Sequence, residues 1–105
     1  MNISEQQKTQ ARFWKKFLRL TRGRVPVLRA LAVIAAEEHQ EDFKAVIGDI
    51  RSAMAADATF SEALERHSNV FSLSIRELVR TAEKCGEWDE IIEEIAAGIE
   101  EGTFD

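Results

Sequence analysis

A single proline, Pro26, interrupts 105 residues in which apolar side chains recur at three- and four-residue intervals. No stretch alternates apolar and polar residues for long with β-branched side chains, so strands have no support and helices have it throughout. In the first segment Phe13, Trp14, Phe17 and Leu18 share one face of a helix running from about Ser4 to Thr21. Ser4 with Gln7 suits a capping box at its start. Arg22-Gly23-Arg24-Val25 breaks it, and Pro26 suits the first turn of a second helix, where its missing N–H costs nothing. Val27, Leu28, Leu31, Ile34 and Ala35 form that helix's apolar stripe.

The same reading continues to the end of the chain. After a polar break at Glu38-His39-Gln40, the residues Phe43, Val46, Ile47, Ile50 and Met54 define a third helix. Gly48 inside it costs about 1 kcal/mol relative to alanine, and close helix packing is the expected reason for it. Thr59 with Glu62 forms a capping box for a short fourth helix carrying Ala63 and Leu64. Ser72 caps a fifth, striped by Ile75, Leu78, Val79 and Ala82 and closed by Cys85-Gly86. A sixth opens on the acids Glu87, Asp89 and Glu90, which suit a helix N-terminus. It buries Trp88, Ile91, Ile92, Ile95, Ala96 and Ile99. Six short helices, each apolar on one side, pack into a compact antiparallel all-α bundle. Residues 1–105 make one domain, with fraying expected over 1–10 and 100–105.

Composition excludes several classes. One cysteine, Cys85, removes a disulfide framework; it is expected to be a small packing residue. No uncharged run exceeds about ten residues, against the roughly 20 that span a bilayer. The opening MNISEQQKTQ lacks a basic-then-apolar layout, so a reducing, cytoplasmic setting is expected. His39 and His67 are the only histidines and stand in no metal-ligand or nucleophile spacing; no P-loop or GxGxxG occurs. His39 lies among Glu37, Glu38, Glu41 and Asp42, read as a solvated helix junction, and His67 is read as a helix-end residue. The chain is read as a non-enzyme with no cofactor and no metal.

Charge is split. Residues 1–30 carry +7 and the remainder −12, for a net −5. An acidic whole argues against nucleic acid as a partner. On the first helix Lys8, Arg12, Lys15, Lys16, Arg19 and Arg22 fall within about 120° of arc at 100° per residue, opposite Phe13, Trp14, Phe17 and Leu20. Such a basic amphipathic helix is a candidate interaction face, for an anionic membrane surface or an acidic protein, or simply the solvated side of a core helix.

Three segments together resemble a known family. FWKKFLRLTRGRVPVLRAL (Phe13–Leu31), FSEALERHSNVF (Phe60–Phe71) and LVRTAEKCGEWDEIIEEIA (Leu78–Ala96) resemble, in order and spacing, the protein F domain of type II secretion and type IV pilus assembly systems. The motif positions are Pro26, Leu28, Ala30, Leu31, Ser61, Ala63, Leu64, Phe71, Glu83, Gly86 and Asp89. Most are caps, turns and core residues; Glu83 stands out as a charge beside the Gly86 turn, free to bond backbone there or reach a partner. The resemblance implies a six-helix, non-catalytic docking domain of an inner-membrane platform, on its cytoplasmic side, that engages the assembly ATPase, other platform proteins and itself as a homo-oligomer. The chain departs from the pattern at Arg24 and Asp57, where the family has glycine, at Ser72 for proline, and at Ala82 for glycine. Those departures leave an alternative: a stand-alone soluble helical adaptor or regulator that keeps the fold without the secretion role.

Overall fold

The computed structural model describes residues 5–102. Its six helices are α1 (Glu5–Arg22), α2 (Val27–Glu37), α3 (Glu41–Ala55), α4 (Phe60–Glu65), α5 (Leu73–Cys85) and α6 (Trp88–Glu101), with no strand among the described residues. Each helix packs on the next in sequence, and α6 returns to lie along α1, the most extensive helix pair in the bundle. The radius of gyration, 12.7 Å, matches the ~13 Å of a folded chain of about this length.

Aromatic rings hold the centre. Phe13, Trp14 and Phe17 of α1 are fully buried, and they meet Phe43 of α3, Phe60 of α4 and Phe71 ahead of α5. Phe13 stands edge-on to Trp14 at 5.0 Å and to Phe43 at 5.6 Å between ring centroids, the offset geometry that aromatic quadrupoles prefer. Trp88 of α6 joins through Phe60. Around the rings, Ile47, Ile50, Val79, Ile92 and Ile95 complete one continuous core. The indole N–H of Trp14 is buried with no partner among the described residues.

The helix ends follow the local chemistry. Thr59 and Glu62 make the reciprocal capping box: the Glu62 amide donates to the Thr59 hydroxyl at 3.2 Å, and the Thr59 amide to the Glu62 carboxylate at 2.8 Å. Ser72 accepts from the Ile75 amide at 3.4 Å. Gly86, left-handed at φ +78°, donates its amide to the carbonyl of Ala82 and closes α5.

Several expectations are corrected. Pro26 is the N-cap of α2 rather than its first helical residue; its carbonyl accepts the Ala30 amide at 2.8 Å. Leu28, assigned to the apolar stripe of α2, is 39% exposed, because Ala30, Leu31 and Ile34 set the inward direction and Leu28 falls on the other side. Gly48 has open space above it, so close packing does not explain it. Cys85 is exposed rather than packed. From Glu5 the chain is helical, and Thr9 and Gln10 are buried. The amide of Gln10 donates to the carbonyl of Val70, pinning the start of α1 to the α4–α5 connection. At the other end Ile99 is buried as expected, and α6 runs to Glu101. The Ser4 cap and residues 103–105 lie outside the described residues.

Candidate functional site

The basic side of α1 is largely consumed within the chain. Lys15 reaches Glu100 at 2.6 Å and Arg22 reaches Glu93 at 3.3 Å, both on α6. Lys16 pairs with Glu37 at the end of α2 at 3.1 Å, and Arg12 with Glu38 at 3.5 Å. Of the six cations, Lys8 and Arg19 have no carboxylate partner among the described residues. Four cations of the basic segment thus meet four of the acids that follow it, two at the end of α2 and two on α6. The sequence shows each charge but not which helix faces which.

Glu38 differs from the other acids because it points inward. Its side chain is 3% exposed, and one oxygen accepts from Arg12 and from the Gln40 amide at 3.1 Å. The hydroxyl of Thr9 donates to the side-chain oxygen of Gln40 at 3.0 Å. The supposed solvated junction is therefore latched onto α1, leaving His39 outside and exposed. Among the described residues no three His, Cys, Asp or Glu side chains converge to hold a metal. His67 Nε2 instead lies 2.7 Å from Asp49, tying the end of α4 to α3 beside Arg66. The hydrogen bond from His67 is the main reason the Asp49 carboxyl is held below its ordinary value.

The motif positions divide by role. Ala30, Leu31, Ala63, Leu64 and Phe71 are fully buried. Glu83 does not bond the Gly86 turn. It accepts two hydrogen bonds from Ser61, another motif position, 22 residues earlier. Asp89, in the first turn of α6, lies 3.4 Å from the Thr21 hydroxyl at the end of α1, whose one proton is shared with the Leu18 carbonyl at 3.0 Å.

Arg24 and Asp57, which stand where the resembled family has glycine, are the two non-glycine residues with positive φ among those described, at 64° and 79°. Each ends a helix in the same way. The Arg24 amide donates to Thr21 and the Val25 amide to Leu20; the Asp57 amide donates to Met54 and the Ala58 amide to Ala53. This is the Schellman arrangement, which requires a left-handed residue just past the helix. The turns survive although their glycines are gone.

One surface feature was not picked out from sequence. A groove of about 460 Å³ runs along the outer side of α2 and is lined by Leu28, Arg29, Ala32, Val33 and Ala36, with Arg51 of α3 at its edge. The available signal was the composition of Val27–Glu37, where Arg29 and Glu37 are the only charged residues. A helix apolar on every side cannot bury all of itself at the edge of a bundle.

Comparison with known proteins agrees with the motif reading. The sequence matches the family described as type II secretion system (T2SS), protein F, over residues 13–103. It is 28% identical over 85 residues to the type IV pilus assembly protein PilC of Myxococcus xanthus, covering 81% of this chain and 20% of that protein. It is 31% identical over 74 residues to the type IV pilus assembly protein PilC of Thermus thermophilus, covering 70% of this chain and 18% of that one. The chain thus spans about a fifth of the length of these curated relatives. No helix among the described residues is long and apolar enough to cross a membrane. With the motif segments, the six-helix bundle and a match covering nearly all of its length, the chain belongs to the type II secretion system protein F family.

Proposed function

We propose that this domain is a non-catalytic docking module of a type II secretion or type IV pilus inner-membrane platform. In this reading it works at the cytoplasmic face and engages the assembly ATPase, neighbouring platform components and further copies of itself. Family membership over residues 13–103 carries the reading. The placement of the motif residues supports it. Ser61, Glu83, Gly86 and Asp89 are spent on caps and helix junctions, and Ala30, Leu31, Leu64 and Phe71 on the core. These roles maintain a shape that neighbours can hold rather than gather groups around a substrate.

Binding of the purified domain to the cognate assembly ATPase, followed by calorimetry with the ATPase as monomer and as hexamer, tests the proposal. Saturable binding is the expected result; no binding to either form overturns it. Sedimentation across a range of concentrations tests the self-association. The stand-alone adaptor draws its case from the departures at Arg24, Asp57, Ser72 and Ala82, and that case weakens at the first two, which keep the left-handed turns. The anionic-membrane reading of α1 weakens as well, since Lys8 and Arg19 alone of its six cations are unmatched by carboxylates among the described residues.

A further inference from the structure

We infer that the groove on α2 is the docking surface, and that its occupant is an acidic amphipathic helix of a partner protein. The inference deepens the docking reading and rests on it for the partner's setting. Three observations carry it.

The first is charge. Arg12, Lys15, Lys16, Arg22, Arg66 and Arg80 all have carboxylate partners within the chain. Arg29 and Arg51 are exposed and have none among the described residues; Lys8, Arg19, Arg24 and Lys84 share that state, and Arg29 and Arg51 are the pair that borders this apolar groove. Lys44, likewise exposed and unmatched, lies two turns before Arg51 on the same side of α3. A ligand that completes this surface brings carboxylates.

The second is apolarity. Between the arginines lie Leu28, Ala32, Val33 and Ala36, with Leu28 39% exposed. A flanking cation beside a partly exposed apolar strip is the composition of an interface centre and rim. The third is shape. Ala32 and Ala36 are one turn apart, so the wall between Leu28 and Val33 is low. A second helix can therefore seat its ridge at the 8–10 Å separation typical of packed helices.

The other acidic helix face of this chain, on α6, does not supply the complement. The outward face of α6 carries Glu90, Glu94 and Glu101, but Ala97 is the only apolar residue exposed with them; its isoleucines are spent on the core. The occupant needs leucine-type residues at i, i+4 and i+7 with Asp or Glu beside them, presented by another protein.

The test uses a synthetic peptide of about 18 residues, long enough to hold a helix, with leucines at that spacing flanked by glutamates. A second peptide has every glutamate replaced by lysine. Amide chemical shifts of the isotope-labelled domain report the contact without any variant. The acidic peptide is expected to shift residues 28–36 and 44–51, and the lysine peptide to leave them unmoved. Arg29→Glu with Arg51→Glu, and separately Leu28→Asp, are each expected to weaken the acidic peptide at least tenfold while leaving the thermal melt in place. Shifts confined to α1 or α6, equal response to both peptides, or no binding overturn the inference. So does dependence of vesicle binding, with phosphatidylglycerol-containing liposomes, on these same residues. If the assembly ATPase binds wild type and the Arg29→Glu, Arg51→Glu variant equally, the surface is wrong and the docking reading stands. If the acidic peptide binds the groove but no platform protein binds the domain, the surface stands and the docking reading fails.

Discussion

The carboxylate of Glu83 on α5 holds the first turn of α4 through Ser61: Oε2 accepts the Ser61 backbone N–H at 2.8 Å and Oε1 accepts the Ser61 hydroxyl at 2.7 Å. A six-residue helix cannot persist on its own hydrogen bonds. The Thr59 box satisfies the Glu62 amide, and Glu83 satisfies the one before it from a different helix. Ser61 is 3% exposed, so water cannot readily take the place of the carboxylate.

Replacing Glu83 with alanine is therefore expected to cost about 1–3 kcal/mol, the range for charge-assisted bonds whose buried partner is left unpaired. Ser61→Ala removes one of the two bonds and is expected to cost less. In a double-mutant cycle by urea unfolding, the two changes should be strongly non-additive. Additive losses would mean that the pair does not act as a unit.

The left-handed turns make a second expectation. A non-glycine residue there costs about 1–2 kcal/mol, partly offset by the greater freedom of glycine in the unfolded chain. Arg24→Gly is expected to stabilise by about 0.5–1 kcal/mol, a rise of a few degrees in melting temperature. Asp57→Gly should gain less, because a short polar side chain tolerates this backbone better. A lower melting temperature for Arg24→Gly would contradict the strain assigned to it.

Gly48 gives the opposite substitution. A Cβ placed there meets nothing within 4 Å, and its backbone is ordinary helix. Gly48→Ala is expected to stabilise by about 0.5–1 kcal/mol through helix propensity, read from the shift of the denaturation midpoint at unchanged slope.

The ion pairs of α1 should not be equivalent. Lys15–Glu100 and Arg22–Glu93 are about half exposed on both sides, so each is worth about 0–1 kcal/mol and fades with salt. Arg12 serves a carboxylate that is 3% exposed. Arg12→Ala leaves Glu38 with the Gln40 amide as its remaining partner and is expected to cost about 1–2 kcal/mol. The comparison of Arg12→Ala with Lys15→Ala, melted in low and high salt, checks the ranking.

Asp49 sets an acid limit of its own. Its hydrogen bond from His67, aided by the charge of Arg66, holds its carboxyl below the usual 3.8. A carboxylate depressed in the folded state adds stability above its unfolded pKa, and that contribution is lost as pH falls through the folded one. The melting temperatures of wild type and Asp49→Asn should therefore differ at neutral pH and converge below pH 3.8. A difference that persists at pH values well below that would assign the effect to packing.

Local chemistry determined the six helices. The Thr59–Glu62 box, the Ser72 cap and the Gly86 stop each involve residues within about one turn, so a few letters contain the whole interaction. The aromatic face of α1 was equally readable, since Phe13, Trp14 and Phe17 share one side at helical spacing. Tertiary structure alone decided the rest. Whether the cations of α1 were free or spent depended on α6, some 70 to 85 residues away, folding back beside them. Glu83 found Ser61 only because α5 crosses the start of α4. Leu28 was turned outward by the neighbours that claimed Ala30, Leu31 and Ile34. The physical reason is range: caps and turns are satisfied by nearest neighbours along the chain, whereas ion pairs and exposed faces depend on which helices lie side by side, and no spacing within one helix contains that information.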